Sequence, residues 1–404
     1  MITAEQRRRS TTTYVLDLTR SPFAGILEAG MQTFVLLIAI RLFNPDPFFK
    51  AMIPASISIG LLASPFVLSL ASRYAIRATR MASLCWLGSG ALMYLASLSP
   101  NFIGYLAALS PSMFCFALVP TFMIFAYAHN YRPHQRGQRI AVFFIISSLS
   151  GGIFGYFAGQ ALDANILYYR SVMWAFSGAA VGSAICGFFM PSPVVEAQHN
   201  ASPLKNISLA WTDKLFGWML ASWMFIGFAN LMTIPLRVEY LASPRYGVQA
   251  SNSEITLVLI IIPLVCRILS TRIWGYLFDK INLLVLRSIL NTMFLVSIFC
   301  FFRTKDTGVM AIATAIMGLA QGGGNIAWNL WVTKIATPDK TAAYMSVHTA
   351  TTGIRGLLSP FLGFAAIYLL GPGITSIVAA SFALVSILIN LPLIRDERLR
   401  SHPQ

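Results

Sequence analysis

The 404 residues of this chain are divided into apolar runs, each about as long as the roughly 20 residues a helix needs to cross a bilayer, with short polar gaps between them. Inside hydrocarbon every backbone polar group must be satisfied within its own segment, so runs of this length have to be helices. They read as twelve spans: 21–43, 50–71, 80–98, 102–127, 140–161, 171–190, 214–236, 254–277, 284–302, 308–332, 342–369 and 373–394. Composition agrees, with 56% hydrophobic and 11% charged residues and a mean hydropathy of +0.69, against about 25% charged residues in soluble proteins. The expectation is an all-α integral membrane protein with no room for a soluble catalytic domain. No phosphate loop of the form G-x-x-x-x-G-K-[ST] is present, which excludes ATP coupling by that route.

The opening stretch "MITAEQRRRSTTTYVLDLTR" is polar and basic, and the run after it lacks a small-residue cleavage site, so it reads as a tail ahead of a retained first span. The five cysteines, Cys85, Cys115, Cys186, Cys266 and Cys300, all fall in apolar stretches without paired or metal-ligand spacing and read as free thiols. The longest polar gap, 191–211, has the Pro/Ser/Asn character of a linker. It divides the chain into a six-helix bundle over 1–190, the linker, and a second bundle over 212–404, each bundle carrying a basic tail. Lys and Arg concentrate on the side holding the N-terminus, including Arg7, Arg8, Arg9 and Lys205, with Arg287 counted there too. Both termini and the linker are therefore expected in the cytoplasm. The formal charge of +15 follows from this bias and from attraction to anionic headgroups, and gives no ground for a nucleic-acid partner. Two sequons, at Asn200 and Asn206, lie in the linker, where a cytoplasmic location leaves them unglycosylated.

The halves echo each other, as in many transporter folds. Asp17 precedes Arg41 by the same interval as Asp213 precedes Arg237. "SRYAIRATR" from Ser72 aligns with "DKINLLVLR" from Asp279, pairing Arg73 with Lys280 and Arg80 with Arg287, and "GIFG" at Gly152 parallels "GIRG" at Gly353.

With "GYLFDK", Gly275 to Lys280, between spans eight and nine, the chain resembles the major facilitator superfamily, whose loop signature is G-x-x-x-D-[RK]. The first half departs from it, with Leu68 and Ser72 in place of the glycine and aspartate. "GFANLMTIPLRVEYLASPRYG" and "VHTATTGIRG" resemble an uncharacterised bacterial branch. The resemblance implies two pseudo-symmetric six-helix bundles, a secondary transporter working by alternating access, and a central cavity lined by spans one, four, seven and ten. It names no substrate. It also implies a gating role for Gly275, Asp279, Lys280 and Arg73, with Gly275 permitting close helix approach and Asp279 meeting the N-terminus of a helix such as span eleven. The alternative is that Asp279 and Lys280 are ordinary interfacial charges.

Three charges lie well inside the spans: Glu28, Arg267 and Arg355. At 1.5 Å per residue they sit about 12, 15 and 20 Å from the ends of their helices. Ionisable groups at such depth face a cavity or a partner and mark solute or proton paths. Glu28, with Gln32 one turn away, reads as a proton-coupling site, as a permanently neutral acid, or as a carboxylate hydrogen-bonded to a neighbouring helix. Arg355 and Arg267 read as anion ligands, or as structural arginines paired with backbone carbonyls or with Glu28. Gly353, Gly356 and Pro360 flank Arg355 and allow close packing and a bend. In span ten Gln321, Asn325 and Asn329 share one helical face beside Trp328. Lining a solute cavity and bonding helix to helix both fit that stripe. Asn230 shares a face with Ser222 in span seven, and His348 in span eleven reads as a second titratable group or as a histidine simply hydrogen-bonded in place.

The reading is a twelve-helix secondary transporter of the bacterial inner membrane, coupled to protons, moving a small organic solute that is amphipathic or anionic. Export is favoured by the aromatic, Met-rich interior. Uptake of an anionic metabolite is the alternative, and a receptor or lipid-handling protein on the same fold is a further one. No catalytic residue, metal or cofactor is expected; the partners are solute, protons and lipid, with the chain a monomer.

Overall fold

The computed structural model describes residues 4–195, 206–337 and 340–399. In chain order the long helices are α1 (Ala4–Phe43), α2 (Pro47–Arg73), α3 (Ala78–Leu98), α4 (Phe102–Asn130), α5 (Pro133–Ala164) and α6 (Tyr169–Phe189). The series continues with α7 (Lys214–Ala242), α8 (Asn252–Lys280), α9 (Leu283–Phe301) and α10 (Thr307–Leu330). A last helical stretch, Thr341–Leu393, is broken at Gly371, whose φ of 77° and ψ of 169° are not helical, giving α11 (341–370) and α12 (372–393). Eleven stretches of the described residues are long and apolar enough to span a membrane, and the break makes two passes of the last, so the fold has twelve.

The chain forms two compact units, one of Met1–Ala197 with Ser251–Thr256, the other of Gln198–Ala250 with Leu257–Gln404. The Asn200 sequon lies outside the described residues; Asn206 donates its amide to the Ser346 hydroxyl at 3.3 Å.

In the first unit α1 starts at Ala4, so the segment expected as a polar tail is helix from its fourth residue. The reason is an internal ion pair. Arg20 donates to Asp17 at 2.7 Å and to the Tyr127 hydroxyl at 2.9 Å, and that hydroxyl donates to Asp17 at 2.8 Å. The Arg20 guanidinium also lies 4.3 Å from the Phe143 ring centroid and 4.9 Å from that of Trp86. Polar residues satisfied in this way can continue a buried helix. Beyond Ala29 the helix widens into π turns at Gly30–Phe34 and Ala39–Phe43, a local irregularity that often accompanies functional positions. On α5, Asp163 accepts the amides of Asn252 at 2.6 Å and Ser253 at 2.9 Å, occupying the otherwise orphaned first amides of α8.

In the second unit Asp213 caps α7 through the Phe216 amide at 3.2 Å and also accepts from Tyr344 at 3.0 Å and from both terminal nitrogens of Arg398 at 2.9 Å. The C-terminal segment, expected as a free basic tail, is therefore packed back. Asn282 donates to the Ile394 carbonyl at 3.2 Å and the Leu399 carbonyl at 3.0 Å, and Leu399 is buried in the core with Phe216, Trp331 and Leu283.

Candidate functional site

Glu28 and Gln32 sit one turn apart on α1, and Gln32 donates its amide to the Glu28 carboxylate at 3.1 Å. Every residue from Ala29 to Ile40 is buried except Gln32, which is exposed, while Glu28 is half-buried. The pair is thus a polar opening in an otherwise enclosed helix, and the shared face read from the sequence is present.

A second polar centre lies inside the C-terminal unit, where α7, α9, α10 and α11 meet. Arg355 on α11 is 4% exposed and donates to the backbone carbonyl of Trp223 on α7. It can lie that close because α7 has Gly227 one turn further on; a Cβ there would overlap the guanidinium. Arg287 on α9 is 1% exposed, donates to the Ser222 hydroxyl at 3.2 Å, and places its guanidinium carbon 4.1 Å from the Trp223 ring centroid. His348 is fully buried, its ring 5.4 Å from Trp223, 5.3 Å from Trp328 and 5.2 Å from Trp331. Neither of its nitrogens has a hydrogen-bond partner. The sequence-level alternative of a histidine simply hydrogen-bonded in place therefore fails; the aromatic walls offer it no acceptor.

The remaining residues singled out from sequence divide by surroundings. Gln321 and Asn230 are half-buried and Asn325 is exposed, while the Asn329 side chain lies outside the described residues. Ser222 does not share a polar opening with Asn230: it is buried against α12, donating to Asn390 at 2.7 Å and pairing with Ser386 at 2.9 Å. Arg267 is half-buried. Gly275 is not required for close approach, because a Cβ there would meet Ile326 at 3.7 Å, an ordinary contact. Asp279, Lys280 and Arg73 are exposed.

Three arginines escaped the sequence reading. Arg287 was counted with the basic loop residues but lies inside the unit, because α9 begins at Leu283 and carries it a full turn inward. Arg237, read from sequence as the repeat counterpart of Arg41, is 2% exposed and donates to the Met317 sulfur and, at 3.3 Å, to Ser297. Arg272 falls inside the eighth span but is exposed. A signal for Arg287 was present in its register with Arg80, which also stacks on an aromatic ring, that of Phe188 at 3.4 Å. Among the described residues no group of three or more His, Cys, Asp or Glu could hold a metal ion.

A twelve-pass helical chain with isolated charges inside its spans defines a class, the polytopic helical membrane proteins. Comparison narrows it. Residues 244–404 match the family model described as Major Facilitator Superfamily. No curated protein matches the sequence. Among solved structures, a point mutant of the nucleoside transporter NupG shares the fold at a TM-score of 0.77 and 13% identity, over 94% of this chain and 99% of that one. A D-xylose-proton symporter superposes at 0.71 and 13% identity, over 98% and 100%. A bacterial homologue of the human lysosomal transporter Spinster does so at 0.67 and 13%, over 98% of each. The family match covers residues 244–404, and over nearly the whole chain the fold is the one these membrane transporters share.

Proposed function

We propose that the chain is a proton-coupled secondary transporter that moves a small amphipathic or anionic organic solute across a bacterial inner membrane by alternating access, with export favoured. The observation that carries this reading is the Glu28–Gln32 pair, an acid and an amide opening out of a buried helix. A carboxyl in such a setting can load and release a proton as its surroundings alternate between wet and dry. Proton coupling is named for one of the similar structures, the xylose symporter. Arg355, Arg267, Gln321, Asn325, Asn329, Asn230 and Trp328 supply solute contacts, His348 a second titratable group, and Asp279, Lys280 and Arg73 a gate whose members stand exposed and able to exchange partners. The termini and the 191–211 linker face the cytoplasm, and the working unit is a monomer. The second reading, uptake of an anionic metabolite, is favoured by the buried Arg355.

The test is flux in proteoliposomes with a panel of labelled anionic, cationic and neutral solutes, a nucleoside and xylose among them, under an imposed pH gradient. Glu28→Gln should abolish gradient-driven accumulation while solute counterflow continues, because a neutral amide cannot carry the proton. Accumulation by Glu28→Gln equal to that of the parent chain at every gradient would remove Glu28 from the mechanism.

A further inference from the structure

The buried centre of the C-terminal unit has many hydrogen-bond donors and no anionic acceptor among the described residues, the unpartnered imidazole of His348 offering one neutral acceptor nitrogen. Arg287 leaves Nε and Nη1 without partners, Arg355 leaves Nε, and Trp223 and Trp331 each leave the indole N–H. All five atoms are buried. The groups are contiguous: the Trp223 and Trp331 ring centroids are 6.2 Å apart, Arg287 lies over Trp223, and Arg355 bonds the Trp223 carbonyl. Both guanidiniums are near enough to His348 to act on it electrostatically. Among the described residues neither arginine forms an ion pair with a carboxylate.

Arg20 in the first unit shows the contrast, since it is buried to a similar degree and bound to Asp17. An arginine keeps its charge in proteins, and a buried charge without a counter-charge is strongly unfavourable. Ordered water would satisfy N–H groups but would leave two formal positive charges uncompensated. The missing component is therefore negative. It is also compact, because the surrounding side chains are nearly all buried and the Arg355 guanidinium already lies against α7 at Gly227.

We propose that Arg287, Arg355 and the indole N–H groups of Trp223 and Trp331 form a binding site, inside the C-terminal unit, for one compact monoanionic group of carboxylate or halide size. The group is either a free inorganic anion or the carboxylate head of the transported solute; in the second case the site deepens the proposed function and rests on it. Arg287 supplies two open donors and Arg355 one, and the two indoles add neutral donors on the aromatic side. Ser222 orients Arg287, and the Trp223 carbonyl orients Arg355.

The experiment is equilibrium binding to the full chain in detergent, which does not depend on transport. Tryptophan fluorescence is titrated with sodium iodide at constant sodium and ionic strength, balanced with gluconate, and then displaced with sodium chloride or sodium acetate. Iodide quenching should contain a saturable component that chloride or acetate removes. Displacement by chloride alone assigns the site to a free inorganic anion, and displacement by acetate as well assigns it to a carboxylate head. Trp331→Phe keeps a ring against Phe216 but deletes one N–H, so it tests the site without requiring an arginine variant to fold. Arg355→Gln and Arg287→Gln should weaken binding about tenfold or more, as loss of a charge-assisted bond does, and Arg395→Gln, at an exposed arginine just past α12, should leave it unchanged. Strictly linear iodide quenching in the parent chain, indifferent to chloride and acetate, overturns the proposal. Saturable binding of unaltered strength in Trp331→Phe and in both arginine variants overturns it equally.

Discussion

Asp213 shows how much one residue can gather at a helix start. Burial alone would raise its carboxyl, but hydrogen bonds from Arg398, the Phe216 amide and Tyr344 outweigh that and hold it below the ordinary carboxylate value. A depressed folded value means that the contribution to stability is complete above the unfolded value, about 3.9, and is lost as pH falls through the lower folded one. Arg398 is 44% exposed, so the ion pair is worth about 1 kcal/mol or less. Asp213→Asn should lower the thermal midpoint slightly at pH 7, and the gap to the parent chain should close as pH drops below about 4. Thermal scans in detergent across that range check this; a constant gap would mean the carboxylate charge plays no part. Asp213 was visible in the sequence through its register with Asp17, but its partners were not. Tyr344 and Arg398 lie 131 and 185 residues away, and nothing local marks them. Arg355 was legible because its charge stands in a long apolar run. Arg287 was not, because a cation a few residues past a polar turn looks like a loop residue until the start of α9 is known.

At the scale of elements, length and hydropathy were sufficient to find every pass, since the bilayer imposes both. Starts and ends were less visible. α1 extends well ahead of its apolar run because Asp17, Arg20 and Tyr127 satisfy one another, and sequence periodicity carries no sign of a pairing made across helices. The division between α11 and α12 depends on one residue, Gly371, whose backbone angles are open in practice only to glycine. A Cβ there would meet nothing within 4 Å, so any penalty is conformational. Gly371→Ala should cost about 1–3 kcal/mol. Gly178→Ala, in α6 with equally open space and no positive φ, should be neutral or stabilise by up to about 1 kcal/mol. Denaturant unfolding of the two variants side by side makes the comparison, and equal effects would show that the break at Gly371 is not a backbone requirement.

For the whole molecule, the internal repeat read from sequence has a physical counterpart within each unit. Asp17 and Asp213 stand at corresponding places, and each is held by one tyrosine hydroxyl and one arginine. The repeat preserved the acid and the kind of partner while the partners themselves came from different helices. The same charge distribution from which cytoplasmic termini are proposed predicts opposite reactivities for two new thiols. With the native cysteines replaced, a cysteine at Ser202 should react with an impermeant reagent only from the cytoplasmic side and one at Asp306 only from the outside. Equal labelling of both from outside whole cells would reverse or dissolve the proposed orientation.

The two aspartate clasps also differ in when they can close. Asp17 needs Arg20, three residues on, and Tyr127, so its clasp can form while the ribosome is still making the second half. Asp213 needs Arg398, 185 residues further on and beyond α12. The first clasp can thus close in the membrane early, whereas the second cannot be fastened until α12 and the segment after it have been made. Until then the start of α7 waits for a partner that has not yet been synthesised.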